Sequence, residues 1–162
     1  VAPISVVGTS RTAAAMTVLS NVSVPTPPGS APYVAAIAGS ARSMRVGTAN
    51  AEAFAQHLAR AGLTIVSGLA LGIDAAAHRG ALKAADEGAD ASTIAVLGTG
   101  VDVAYPASNR PLHEAVRGRG LLLSEFALGT PGIAHNFPRR NRIIAGLAAG
   151  NLSTGKTTRR KP

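Results

Sequence analysis

Cysteine and tryptophan are absent from this 162-residue chain, and aromatic residues make up only 3% of it. Without cysteine there are no disulfides and no thiolate metal ligands, which fits a reducing, cytoplasmic setting without requiring one. With so few rings, the core has to be assembled from Ala, Val, Leu and Ile. No run of about 20 apolar residues occurs, so nothing reads as a membrane-spanning helix. Acids are scarce as well, 8 against 16 Lys and Arg, and all of them lie between Glu52 and Glu125. Within those limits charge nearly balances, whereas Arg11, Arg42 and Arg45 precede them and Arg139, Arg140, Arg142, Lys156, Arg159, Arg160 and Lys161 follow. A net charge of +8 is thus segregated to the two ends. That pattern suits a polyanionic partner, and equally a solvated surface with a basic tail.

A hydrophobic content of 46% with 15% charged residues describes a folded chain, and the length suits one domain. Residues 1–32 are rich in Ser, Thr, Ala and Pro and hold no acid. They faintly resemble an organelle transit peptide, lack the charged-then-apolar pattern of a secretory signal, and read as a poorly ordered flank or linker.

From residue 33 onward strands and helices alternate. A short apolar run at 33–38 ends in Gly39-Ser40. A helix follows at 48–61, with Ala51, Phe54, Leu58 and Ala61 on its inward stripe, and Gly62 stops it. A second strand at 63–66 breaks at Ser67-Gly68, and a helix at 73–85 carries Ala77, Gly80 and Ala84, small enough for close packing. The third strand, 93–97, ends in Gly98-Thr99-Gly100; a loop through Tyr105-Pro106 leads to a helix at 109–117. A fourth strand at 121–123 and a helix at 139–148 complete the pattern. Short continuous apolar strands between helices predict an α/β fold, a Rossmann-like parallel sheet with helices on both faces. Residues 33–150 form this domain. Residues 151–162 are polar and basic and offer no fifth strand, so the sheet is expected to be incomplete at its C-terminal end.

In open α/β sheets ligands bind beyond the carboxyl ends of the strands, where helix starts point N–H groups outward. Gly39-Ser40, Ser67-Gly68 and Gly98-Thr99-Gly100 all fall there. Each alone is ordinary turn chemistry; three at one edge suggest a phosphate-binding rim. Phe137-Pro-Arg-Arg-Asn-Arg142 adds to it, because Pro138 suits the first helical position and would place Arg139, Arg140 and Arg142 in or near the first turn. Cations there oppose the helix dipole unless anions bind, and arginine forks grip phosphate. Phe137 suits base stacking, or else a hydrophobic staple. No dinucleotide fingerprint and no Walker A loop is present, and Gly155-Lys156-Thr157 lacks a preceding strand, so no cofactor is expected. His57, His78, His113 and His135 lack ligand spacing, so neither is a metal. Asp74 reads as a helix cap, and Glu125 is explained by a nearby arginine as well as by catalysis.

Several stretches resemble the DNA-processing protein A family, DprA or Smf, of bacterial natural transformation. They are A-I-A-G-S at 36–40, T-I-V-S-G-L-A-L-G-I-D-A-A-A-H-R-G-A-L at 64–82, T-I-A-V-L-G-T-G-V-D-V-A-Y-P-A-S-N-R at 93–110, L-L-S-E-F at 122–126, G-T-P at 129–131 and N-F-P-R-R-N-R-I-I-A-G-L at 136–147. The resemblance implies a non-enzymatic domain that binds single-stranded DNA without sequence preference and hands it to the recombinase RecA. Its DNA contacts would be Gly39, Ser40, Arg42, Ser67, Gly68, Phe137, Arg139, Arg140, Asn141 and Arg142. Ala41 stands where the family usually has Arg, Leu71 where it often has Arg, and His135 is the nearest base before the Phe. Residues 151–162 resemble nothing in the family. There the family's further elements contribute to homodimerisation and RecA contact, so neither is carried over to residues of this chain. Two alternatives stand beside this reading. One is a phosphoribohydrolase-like enzyme, whose P-G-G-x-G-T-x-x-E signature is absent; the other is a remnant that no longer folds.

Overall fold

A computed structural model describes residues 4–8, 17–19, 34–39, 45–90, 92–148 and 150–154. In chain order the elements are β1 (Ile4–Gly8), β2 (Thr17–Leu19), β3 (Val34–Gly39), α1 (Arg45–Arg60), β4 (Thr64–Ser67), α2 (Ile73–Asp86) and β5 (Thr93–Val96). A 3-10 turn at Ala107–Asn109 then leads into α3 (Arg110–Arg119), followed by β6 (Leu121–Ser124), α4 (Asn136–Leu147) and β7 (Gly150–Thr154). The strands form one sheet in the order β2-β1-β6-β5-β4-β3-β7. From β6 across to β7 all pairs are parallel, while β1 runs antiparallel to both β6 and β2.

Alternation along the strands divides the core into two layers. Ile37 and Ile65 face α1 and α2, and Ala95 and Leu122 pack with Leu82 of α2 and Val116 of α3. Ala36, Val66, Ile94, Val96 and Leu123 face the other way, onto Ile144 of α4. Both faces are covered, as the continuous apolar strands predict.

Between β3 and β6 the chain steps one strand at a time in a single direction. It then returns through α4 on the opposite face and sets β7 against the free side of β3. The sequence reading offers no such strand. Gly150–Thr154 contains one large apolar residue, Leu152, and its place comes from five register pairs with β3, Ala35↔Gly150 to Gly39↔Thr154. Similarly, the segment read as a flank contributes β1 and β2 to the opposite edge.

Two helices also depart from expectation. In α1 the buried stripe is Ala51, Ala55 and Ala59, while Phe54 is 42% exposed. The reason is proximity: a Cβ at Gly80 of α2 would overlap the carbonyl of Glu52 and lie 2.9 Å from the Ala55 Cβ. Helices that close accept only small residues between them. Helix α4 begins at Asn136, three residues before the predicted start. Pro138 therefore stands third, still within the first turn, where no intrahelical N–H bond is lost.

Candidate functional site

Three βα loops meet at the carboxyl edge of the sheet. After β4 the chain turns sharply: Leu69 takes a left-handed φ of 58° and Gly72 a φ of 89° before α2 starts. Such a conformation costs a non-glycine residue about 1 kcal/mol or more. It is held by complete burial of the Leu69 side chain and by its carbonyl, which accepts a 2.9 Å bond from Asn109 Nδ2. After β5 the Thr99 hydroxyl donates to Val103 O at 2.9 Å, and the Ser124 hydroxyl donates to Thr99 O at 2.5 Å. Asp102 accepts the Gly129 N–H at 2.9 and 3.0 Å, fixing the loop after β6 against the one after β5.

Phe137, second residue of α4, reaches over this edge. Its ring lies on Gly98, where a Cβ would come within 2.7 Å of Cδ1, so only glycine leaves it room. It stacks on Tyr105 with centroids 5.4 Å apart and planes inclined by 29°. With Gly68, Ala70, Leu71, Leu97, Thr99 and Pro106, the two rings wall a cavity of about 250 Å³. Phe137 is half-buried, and Leu71 and Tyr105 are exposed at 51% and 46%.

The basic residues of α4 have three different fates. Arg139 is exposed, its guanidinium 5.8 Å from the centroid of the Phe126 ring. Arg142 is exposed and bonds the buried Glu125 carboxylate through Oε2; Glu125 Oε1 has no partner among the described residues. Arg140 turns inward and is 4% exposed. It donates to Gly68 O at 2.5 Å, to Val96 O, and from Nε to Asn141 Oδ1 at 2.8 Å, with Asp74 Oδ2 3.8 Å away. Burial lowers its pKa and the Asp74 carboxylate raises it, leaving a guanidinium that stays charged.

These positions revise the predicted rim. Ser67 is fully buried and its hydroxyl donates to Ile37 O at 2.5 Å, so it ties β4 to β3 rather than facing a ligand. At Gly68 a Cβ would overlap the Arg140 guanidinium: the glycine seats an arginine where a phosphate was expected. Arg140 is likewise spent inside the protein. The helix-dipole argument weakens for Arg140 and Arg142, which follow the first turn, while Arg139 closes it. Gly39 ends β3, while Ser40 and Arg42 lie outside the described residues. Phe137, Arg139, Asn141 and Arg142 remain on or near the surface. Glu125 does pair with an arginine, Arg142. Sequence reasoning missed Tyr105, although the Gly98-Thr99-Gly100 break and the Tyr105-Pro106 loop both pointed to this edge.

Comparison with known proteins adds to the geometry. The family model for DNA recombination-mediator protein A matches residues 27–159, and so takes in β7 and most of the tail that seemed foreign to the family. Protein Smf of Synechocystis sp. is 52% identical over 97 residues, 60% of this chain and 23% of that protein. DNA processing protein DprA of Streptococcus pneumoniae is 44% identical over 115 residues, 71% of this chain and 39% of that one. The chain thus spans about a quarter to two-fifths of the length of these curated relatives. The X-ray structure of the S. pneumoniae protein superposes with a TM-score of 0.70 at 42% identity, over 79% of this chain and 43% of that one. DprA from Helicobacter pylori, solved for its single-stranded DNA binding mode, gives 0.68 at 29% identity, over 79% and 56%. With the family model matched over residues 27–159, this chain belongs to the DNA recombination-mediator protein A family.

Proposed function

We propose that the carboxyl edge of the sheet binds single-stranded DNA without base preference, within the uptake and recombination of transforming DNA in the cytoplasm, and does no chemistry on it. The observation that carries this reading is the Phe137–Tyr105 pair on the wall of an apolar cavity, with exposed Arg139 and Arg142 two and five residues further along α4. Aromatic faces stack on any base, and arginine forks take the phosphates between them. Asn141, Gly39 at the end of β3, and Ser40 and Arg42 after it are proposed as further backbone contacts. The H. pylori relative, which binds single-stranded DNA, supports the ligand class. Passing the strand to RecA, and any pairing of two copies, belong to the proposal for the longer chains of the family. A nucleotide-cleaving enzyme would need a carboxylate at this edge, and Glu125, with Oε2 on Arg142 and Oε1 without a partner among the described residues, is the one to test.

The test is an anisotropy titration of the folded chain with labelled oligonucleotides of different sequence. Affinity is expected to be similar for all of them and to fall as salt rises, with a log–log slope of about 0.7 per phosphate neutralised. Phe137→Ala should weaken binding by about 1–3 kcal/mol. Absence of binding at low salt, in protein that melts cooperatively, overturns the proposal. Release of free base from a nucleotide, abolished in Glu125→Gln, would put the enzyme in its place.

A further inference from the structure

We infer that Arg140 is a positioning residue for DNA binding, one that holds Phe137 in its stacking place from inside the protein and takes no phosphate itself. The inference rests on the DNA-binding reading above and assigns a role within it.

Three observations support it. The first is where the guanidinium spends its donors. Gly68 O and Val96 O are carbonyls at the points where β4 and β5 end, and Asn141 Oδ1 and Asp74 Oδ2 lie on its other sides. Four groups from three different elements and a loop converge on one planar fork, a geometry that an ammonium cannot reproduce. The second is the glycine beneath it: the absent side chain of Gly68 is the space the guanidinium fills.

The third is helical phase. Phe137 and Arg140 are three residues apart in α4 and so share a face. The ring bears on Gly98, two residues beyond the Val96 carbonyl that the fork holds. The ring therefore rests just beyond the β5 end that the clamp holds, and loosening the clamp frees the ring. Arg139 and Arg142 point elsewhere, to Phe126 and Glu125, and remain exposed for phosphate.

The two roles separate in the salt dependence. Arg140→Lys keeps the charge, so a phosphate ligand would keep most of its affinity. A positioning fork instead loses about as much as Phe137→Ala does, on the order of five- to a hundredfold. In Arg140→Gln, which removes the charge, the salt slope is expected to stay at the wild-type value, whereas loss of a phosphate ligand lowers it by about one contact. Because Arg140 acts through Phe137, the double variant Phe137→Ala/Arg140→Lys should bind no more weakly than Phe137→Ala alone; additive losses overturn the inference.

Should Arg140→Lys fail to melt cooperatively, wild-type protein decides by NMR of arginine side chains during titration with oligothymidylate. The Arg140 Nε–H signal should be protected from exchange and move less than those of Arg139 and Arg142. A shift of Arg140 as large as theirs overturns the inference. Lack of binding by folded wild type is a different result, which overturns the DNA-binding reading and this role with it.

Discussion

His78 has no exposure to solvent, and its surroundings decide its charge. Its Nδ1 donates to the Thr93 hydroxyl at 2.7 Å, because that hydroxyl already donates to Ile65 O at 2.8 Å; Nε2 has no partner among the described residues. Burial first, then the positive charges of Arg140 and Arg79, push the imidazole down from 6.5 to about 3. In the unfolded chain it would take up a proton below about pH 6.5. Between those values the unfolded state binds the extra proton, so the stability that neutral His78 contributes is complete above pH 6.5 and lost as pH falls toward 3. The slope is at most about 1.4 kcal/mol per pH unit. Urea midpoints measured from pH 7 to pH 4 should fall more steeply in the wild type than in His78→Gln, and parallel curves would refute this account. The same scale shows what a sequence cannot say. Phe-Pro-Arg-Arg-Asn-Arg announces a basic helix start, but the direction of each arginine depends on which face docks on the sheet, and the buried stripe Asn136, Arg140 and Ile144 carries Arg140 inward. For that reason Ser67 and Arg140 read as surface groups from the sequence, while in the structure both are buried and bonded to backbone carbonyls.

Among the elements, the strands of the parallel run were legible because each is a short apolar run closed by glycine or serine, whatever its neighbours. The burial of α1 was not. A stripe drawn through the largest residues puts Phe54 inside, yet α1 and α2 approach so closely that alanines and Gly80 form the contact. Substituting Gly80 by Ala would gain about 1 kcal/mol of helix propensity. It should nevertheless lose a net 1–3 kcal/mol, roughly the cost of overpacking a close interface, because the new methyl meets the Glu52 backbone rather than a side chain that can move. Phe54→Gln should change stability by no more than about 0.5 kcal/mol. Were the ring part of the core, truncation to Ala would instead cost about 3–5 kcal/mol. Chemical denaturation of the two variants side by side tests both halves of the argument, and a neutral Gly80→Ala with a damaging Phe54→Gln would restore the stripe read from the sequence.

Across the whole molecule, the parallel unit β3-β4-β5-β6 has two open sides, and each is closed by a segment outside the repeating pattern. Against β6 lies β1, paired from Ser5↔Ser124 to Gly8↔Leu121; against β3 lies β7. Neither was legible as a partner, since pairing depends on a sheet edge that exists only once distant parts of the chain have met. β7 is also where the chain reverses its direction across the sheet, and it brings Thr154 beside Gly39, next to the end of β3 from which Ser40 and Arg42 continue. An unpaired β3 would present Ala36 and Ile37, both buried, on a strand with free N–H and C=O groups, the arrangement that recruits other chains. Ending the chain after Ala148 should therefore lower the melting temperature by several degrees, at roughly 2–8 °C per kcal/mol lost, and produce association visible by light scattering. A truncated chain that melts as the full one does and stays monodisperse would show that β7 is dispensable, and that the four parallel strands with β1 and β2 hold together without it.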